Sequence, residues 1–210
     1  MSAGILLQKL NWKEGSNGIW SVNIPAGTVM EDLYGDGKKL IKARYPNFKP
    51  KMLPFSGYAA DAISEERVKK WKNPEGGYVH ALHEGKWGGF HFMIKGKDRA
   101  GNLILEGGQQ NNRPSPMHNV FRFVENVFEE LDDVNEWYFD AKTSTLYYKP
   151  EVGKNPNTLK FETAHLENII KVAGANGQPV KHIQIKGLDF VYTAPTFMKT
   201  SEPLLRSDWT

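Results

Sequence analysis

Between Val124 and Pro150 the chain reads VENVFEELDDVNEWYFDAKTSTLYYKP, and this stretch limits the fold more than any other. WYFD and TLYYK are aromatic, β-rich runs separated by Ala141-Lys142-Thr143-Ser144, a short polar turn. Two such runs around such a turn predict a β-hairpin. An acidic patch made of Glu125, Glu129, Glu130, Asp132, Asp133 and Glu136 leads into it. A helical turn is expected near Asn126 to Leu131, inside that patch.

Other strand-length runs recur along the chain. Ile5 to Leu10, Ile19 to Ile24, Tyr78 to His83, Gly89 to Lys95 and Leu103 to Glu106 fit strands. Gly15-Ser16-Asn17-Gly18, Gly35-Asp36-Gly37 and Asp98 to Gly101 are turn punctuation. With 20 Gly and 12 Pro, long helices are disfavoured. One short helix is predicted: Ser64 caps it, Glu65 and Glu66 suit its first turn, and Trp71 ends it before Pro74. This pattern predicts an all-β fold, a β-sandwich with a short helix, over residues 1–164.

The character changes after about Thr163. Leu166 to Val172 and Val180 to Tyr192 read as apolar strands, and PVKHIQIKGLDFVYT alternates tightly around Gly187. That looks like one rung of a parallel β-helix, which cannot bury its apolar faces alone. Residues 165–210 are therefore expected to be the start of a parallel β-helix, truncated after a partial rung. An open rung with Ile183, Ile185, Leu188 and Phe190 on it invites pairing with another chain, so the expectation is a homo-oligomer through that end, or else a C-terminal segment collapsed back on the sandwich.

Charge and composition exclude some partners. Net charge is +3 and the basic residues are dispersed, which argues against nucleic acid. No apolar run reaches the roughly 20 residues of a membrane span. Cysteine is absent, so disulfides and thiolate metal sites are excluded. MSAGILLQKLNW has no basic start, long apolar core or small-residue cleavage site, so no export signal is read from it.

Several segments resemble secreted bacterial glycoside hydrolases built on a right-handed parallel β-helix, of the xylan- and fucoside-acting type. They are LIKARYPN (40–47), GGYVHALHEGKWGGFHFMIKGKD (76–98), EGGQQNNRP (106–114), MHNVFRFVENVFEELD (117–132), EWYFDAKTSTLYYKP (136–150) and TFMKTSEPLLRSDW (196–209). The resemblance implies a β-sandwich inserted early in the β-helix, a secreted or periplasmic setting, and a poly- or oligosaccharide partner. It implies no cofactor. It also implies that the acid and base of the family lie on later rungs than this sequence contains.

Candidate site residues follow from side-chain chemistry. Glycoside hydrolysis needs two carboxyl groups, roughly 5 Å apart in retaining and roughly 6.5–9.5 Å in inverting enzymes. Glu129, Glu130 and Asp132 are the catalytic candidates; the competing reading pairs Glu125 and Glu129 with Arg113, Arg122 or Arg44 and locks the hairpin to the sandwich. Trp87, between glycines in GKWGG, is a natural platform for a sugar ring, or else a core residue folded back. Gln109, Gln110, Asn111, Asn112 and Arg113 form an amide-rich run able to read vicinal hydroxyls or to satisfy loop backbone. His83 and His91 are further substrate-binding candidates. Period 2 puts His80 and His83 on opposite faces, while His83 and His91 are expected to meet across a hairpin. A metal there would need a third ligand such as Glu84 or His118, and none is assigned.

Three functions remain open at this point. The chain is a sandwich accessory region of a polysaccharide-degrading hydrolase that shapes or contacts the substrate groove. Alternatively it is a self-standing xylanase-like hydrolase using residues 129–132, or a purely structural module.

Overall fold

The structure, a computed structural model, describes residues 1–108, 115–196 and 198. In chain order these residues form β1 (Gly4–Leu7), β2 (Lys13–Glu14), β3 (Trp20–Asn23), β4 (Leu33–Gly35), β5 (Lys38–Lys39), β6 (Ile41–Lys42) and β7 (Arg44–Tyr45). Then come α1 (Glu65–Lys70), β8 (Tyr78–His83), β9 (Gly89–Lys97), β10 (Leu103–Gly107), β11 (Met117–Glu125), β12 (Glu136–Asp140), β13 (Thr145–Lys149) and β14 (Phe161–Ala164). The chain is mostly β with one short helix, as the alternation of its sequence predicts, and its layering is consistent with a sandwich.

Three sheets result. The first has the order β1-β14-β4-β5, the second β10-β9-β8-β11-β7, and the third β2-β3-β13-β12-β6. The predicted hairpin is β12–β13, with Trp137 opposite Tyr148 and Phe139 opposite Leu146. The first and third sheets share a core of Trp12, Val22, Leu33, Trp137, Leu146, Tyr148 and Phe161. Each large apolar side chain removed from water there contributes roughly 1.5–3 kcal/mol.

The second sheet is stitched to the third at Ala43, which is fully buried. Its N–H donates to Trp137 O at 2.7 Å in the third sheet, and its C=O accepts from Asn126 N at 2.8 Å just beyond β11. The second sheet's outer core is Val68, Trp71, Val79, Ile94, Val124 and Val127, with α1 lying on it. The helix starts where Ser64 Oγ accepts from Arg67 N at 3.3 Å and stops at Trp71, whose backbone turns extended. Lys97 Nζ then donates to the freed carbonyls of Val68 and Trp71.

Two expectations are corrected. The strand expected over Ile5–Leu10 ends at Leu7, because Lys9 takes a positive φ of 57° and turns the chain. The runs expected as strands at Leu166–Val172 and Val180–Tyr192 form none, apart from isolated bridges Ser2–Val191 and Ala175–Gln178. Alternation makes a strand only where another strand lies alongside, and Ile183 and Leu188 stay 54% and 50% exposed. Near Asn126–Leu131 the expected helical turn is a single 3₁₀ turn at Phe128–Glu130. Among the described residues no helix is long and apolar enough to cross a membrane.

Leu146 is fully buried at the centre of the shared core. Leu146→Ala is expected to lower unfolding free energy by about 2–5 kcal/mol in urea titrations. Val152→Ala, at a residue 99% exposed, should stay within about 0.5 kcal/mol of the parent.

Candidate functional site

The second sheet has two unlike faces. Val79, Ile94 and Val124 point to the apolar core under α1. Their neighbours on the same strands point the other way, and the register lines these up in rows. His91, His80 and Phe123 form one row, and Met93, Tyr78, Glu125 and Arg44 form the next. A sheet face carrying two imidazoles, a phenol, a carboxylate and a guanidinium is chemically able where an ordinary core face is not.

These groups are linked. His80 Nε2 lies 3.3 Å from Glu125 Oε1, and His80 Nδ1 lies 2.7 Å from His91 Nδ1. The Nδ1–Nδ1 contact needs one ring to donate and the other to accept, so a single proton sits between them. Burial, then the charge of His80, pushes His91 down to about 4, with Glu125 opposing. Burial alone would raise Glu125. The hydrogen bond and charge of His80, with Lys42 and Arg44, outweigh it and hold Glu125 at about 2. Burial, then Glu31 and Glu125, pushes Tyr78 up to about 12. Phe123 stacks on His80 at 4.6 Å, and the Arg44 guanidinium lies 4.1 Å from the Phe123 ring centre.

Two clefts open beside this network. One, of about 320 Å³, has Tyr78 and Tyr138 in its wall, together with Glu31, Lys42, Asp140 and Lys142. The other, of about 230 Å³, has Glu125, Arg44 and Phe48 with the same Glu31 and Lys42. The Lys42–Glu31 pair, 3.0 Å apart, therefore borders both.

The residues singled out from sequence are separated by the fold. His83 and His91 do not meet. The β8–β9 register sets His91 opposite His80, and strand parity sends His83, only 2% exposed, to the other face. There His83 contacts Trp87 edge-to-face at 5.3 Å and Phe90 at 5.9 Å. Trp87 itself is 58% exposed in the β8–β9 turn. Its indole lies so close over Gly85 that a Cβ there would fall 2.2 Å from Trp87 Nε1. Gly85 below and His83 at the edge thus fix an indole that still faces solvent.

The acidic patch forms a structural knot. Arg67 Nη1 donates to Glu130 Oε1 at 3.0 Å and Oε2 at 2.9 Å, and Trp71 Nε1 donates to Oε1 at 2.7 Å. Glu129 Oε1 accepts from Lys72 N at 2.9 Å. Both acids thereby clamp α1 to the 3₁₀ turn, and the partner is Arg67, which the sequence reading did not consider. Asp132 is exposed, and its carbonyl accepts from Lys149 Nζ at 2.8 Å. Gln109, Gln110, Asn111, Asn112 and Arg113 lie outside the described residues. Glu31, Lys42, Tyr78 and Glu125 were missed as a group. Only the His80/His83 parity argument pointed toward that face.

Comparison with known proteins gives a fold likeness. No family model matches the chain, and no curated protein matches it. A solved structure described as a glycoside hydrolase is similar over 93% of this chain, with a TM-score of 0.68 and 21% identity. The match spans 37% of that protein's length. At this identity the likeness is one of fold.

Two outcomes follow from the buried acids. Glu130→Ala removes a buried carboxylate that accepts from Arg67 and Trp71, leaving Arg67 its longer 3.5 Å contact with Asp61, and is expected to cost about 3–5 kcal/mol by denaturant unfolding. Glu136, 2% exposed at the start of β12, is raised by burial to about 8, although the Asp133 and Asp132 amides donate to it. Between pH 4.5 and about 8 the folded chain holds a proton there that the unfolded chain has released, so this group's stabilisation is lost as pH rises. His91 acts oppositely: from pH 6.5 down to about 4 only the unfolded chain takes up its proton, so stability falls with acidification. Thermal melts of Glu136→Gln against the parent should diverge progressively as pH rises from 5 to 8, with the variant gaining. Parallel curves would show that Glu136 is not the protonated group.

Proposed function

We propose that this chain is the β-sandwich-bearing part of a polysaccharide-degrading glycoside hydrolase, and that it contacts the glycan and shapes one end of the substrate groove. The observation that carries this reading is the fold likeness to a glycoside hydrolase over 93% of the chain. The plant-glycan class, xylan-type first, comes from the sequence resemblance, as does the secreted setting.

The flanks of the sandwich support a β-helical surround. Ser2 and Val191 pair in parallel, with Ala3 N donating to Val191 O at 3.0 Å and Val191 N to Met1 O at 3.2 Å. On the other side of the same segment, His165 N and Leu166 N both donate to Ala3 O. Chain from before the sandwich and chain from after it thus lie side by side. Parallel pairing of successive passes is how a β-helix stacks its rungs. In this reading residues 1–3 and 165–193 belong to adjacent rungs, and the sandwich, from β1 to β14, is an insertion between them.

Trp87 is the residue assigned to the glycan. A solvent-facing indole held in place from below covers the C–H face of a pyranose with little ordering cost. In affinity electrophoresis through gels containing xylan, the chain is expected to be retarded, and Trp87→Ala should lose about 1–2 kcal/mol of that binding. Retardation unchanged in Trp87→Ala would move the contact elsewhere. A parent chain that runs freely through xylan and through a panel of other plant polysaccharides would remove the reading.

A further inference from the structure

The cleft of about 320 Å³ beside β8 and β12 has no role in the glycan surface around Trp87, and its wall contains an unusual group. The Lys42 side chain is 8% exposed, and its Nζ lies 3.0 Å from Glu31 Oε2. The rings of Tyr78 and Trp137 flank it, with centres 5.2 Å and 5.8 Å away. An ammonium carries three N–H donors. Among the described residues Glu31 is the hydrogen-bond acceptor shown for it, and aromatic faces hold the charge without replacing acceptors. A desolvated ammonium with spare donors is costly, and a ligand oxygen in the cleft would relieve it.

The chemistry of the wall narrows the ligand. Lys42 and Glu31 set a donor next to an acceptor, and Lys142 and Glu75, 2.7 Å apart, repeat the arrangement in the same cleft. Each pair suits a hydroxyl that accepts from the ammonium and donates to the carboxylate. An anion would meet Glu31, Glu75 and Asp140. A cation would compete with two ammonium groups already paired. An apolar ligand would leave those charges desolvated without partners. The volume lies at the small end of small-molecule sites.

We infer that this cleft binds a single neutral sugar residue or polyol of similar size, with Lys42–Glu31 and Lys142–Glu75 each reading hydroxyls. The choice of a sugar over other polyols rests on the carbohydrate-active reading above, but the site does not depend on Trp87.

The test is titration of the whole chain with D-xylose, L-fucose, D-galactose and D-glucose, with D-glucuronate and D-glucosamine as charged controls. Binding is followed by ligand-observed NMR, and the same preparations are run through xylan gels. The expected result is saturable binding of at least one neutral sugar and weaker binding of both charged controls. Glu75→Gln, at an exposed position, should weaken the neutral sugar several-fold, and Glu31→Gln about tenfold, as for a lost charge-assisted hydrogen bond. Circular dichroism checks that each variant is folded; if Glu31→Gln is not, Glu75→Gln decides. Failure of all four neutral sugars to bind at millimolar concentration overturns the inference, as does preference for a charged control or indifference to Glu75→Gln. Retardation by xylan without monosaccharide binding leaves the proposed function standing and removes the cleft. Monosaccharide binding without retardation does the reverse.

Discussion

One guanidinium organises the chemically able side of this molecule. Arg44 is 4% exposed and donates from Nε to Pro46 O, from Nη1 to Phe55 O and from Nη2 to Gly57 O, at 2.9, 3.1 and 3.0 Å. Those carbonyls belong to a long connection with no strand or helix of its own, so the side chain does there what a sheet ladder does elsewhere. Gly57 has a φ of 133°, and a Cβ on it would stand 3.1 Å from Asn47 O and 3.5 Å from Arg44 Nη2. Burying a charge costs several kcal/mol unless it is paired and hydrogen-bonded. Arg44 meets the second condition with its three carbonyls, and the charge of Glu125, across on β11, favours it further. A lysine would supply the charge but not the planar fork that reaches three acceptors at once.

The order of that side propagates from there. Arg44 helps keep Glu125 ionised, Glu125 lies 3.3 Å from His80 Nε2, and His80 shares an Nδ1–Nδ1 hydrogen bond with His91. Lys42, two residues before Arg44 and past the seam at Ala43, brings the second buried cation to the same region. Two short strands, β6 and β7, therefore deliver both cations because the chain changes sheets between them. Charge placement and sheet crossing are one structural event.

What could be read from the sequence divides along the same line. β8 was legible to the residue because its run is bounded by Gly76-Gly77 on one side and a glycine-bearing turn on the other. The cap at Ser64 and the β12–β13 hairpin were equally local signals. Strands of two residues carry no periodicity, so β2, β5, β6 and β7 were invisible, and with them the cations of β6 and β7. The Arg67–Glu130 pair spans 63 positions, and an acidic patch offers no sign of which base it will meet. The run at 180–192 shows the converse error. Its alternation is real, but alternation describes side chains and not whether a second backbone lies within reach.

Fold likeness at 21% identity leaves the chemistry to be argued from side chains. The decisive contrast is internal to the second sheet. The same strands place Val79, Ile94 and Val124 on one face and Tyr78, His80, His91 and Glu125 on the other. Apolar residues at those second positions would remove desolvation penalties that Tyr78, His91 and Glu125 each carry. A sheet that needed only to pack has no use for them. By the same test Glu129 and Glu130 are a fastening, because Glu130 accepts from Arg67 on α1 and from Trp71 at its end, and α1 covers an apolar core. Polar groups closed on one another hold the fold together. In the Lys42–Glu31 pair the ammonium is buried, the carboxylate is partly exposed, and both border two clefts, so these polar groups are not closed on the fold alone.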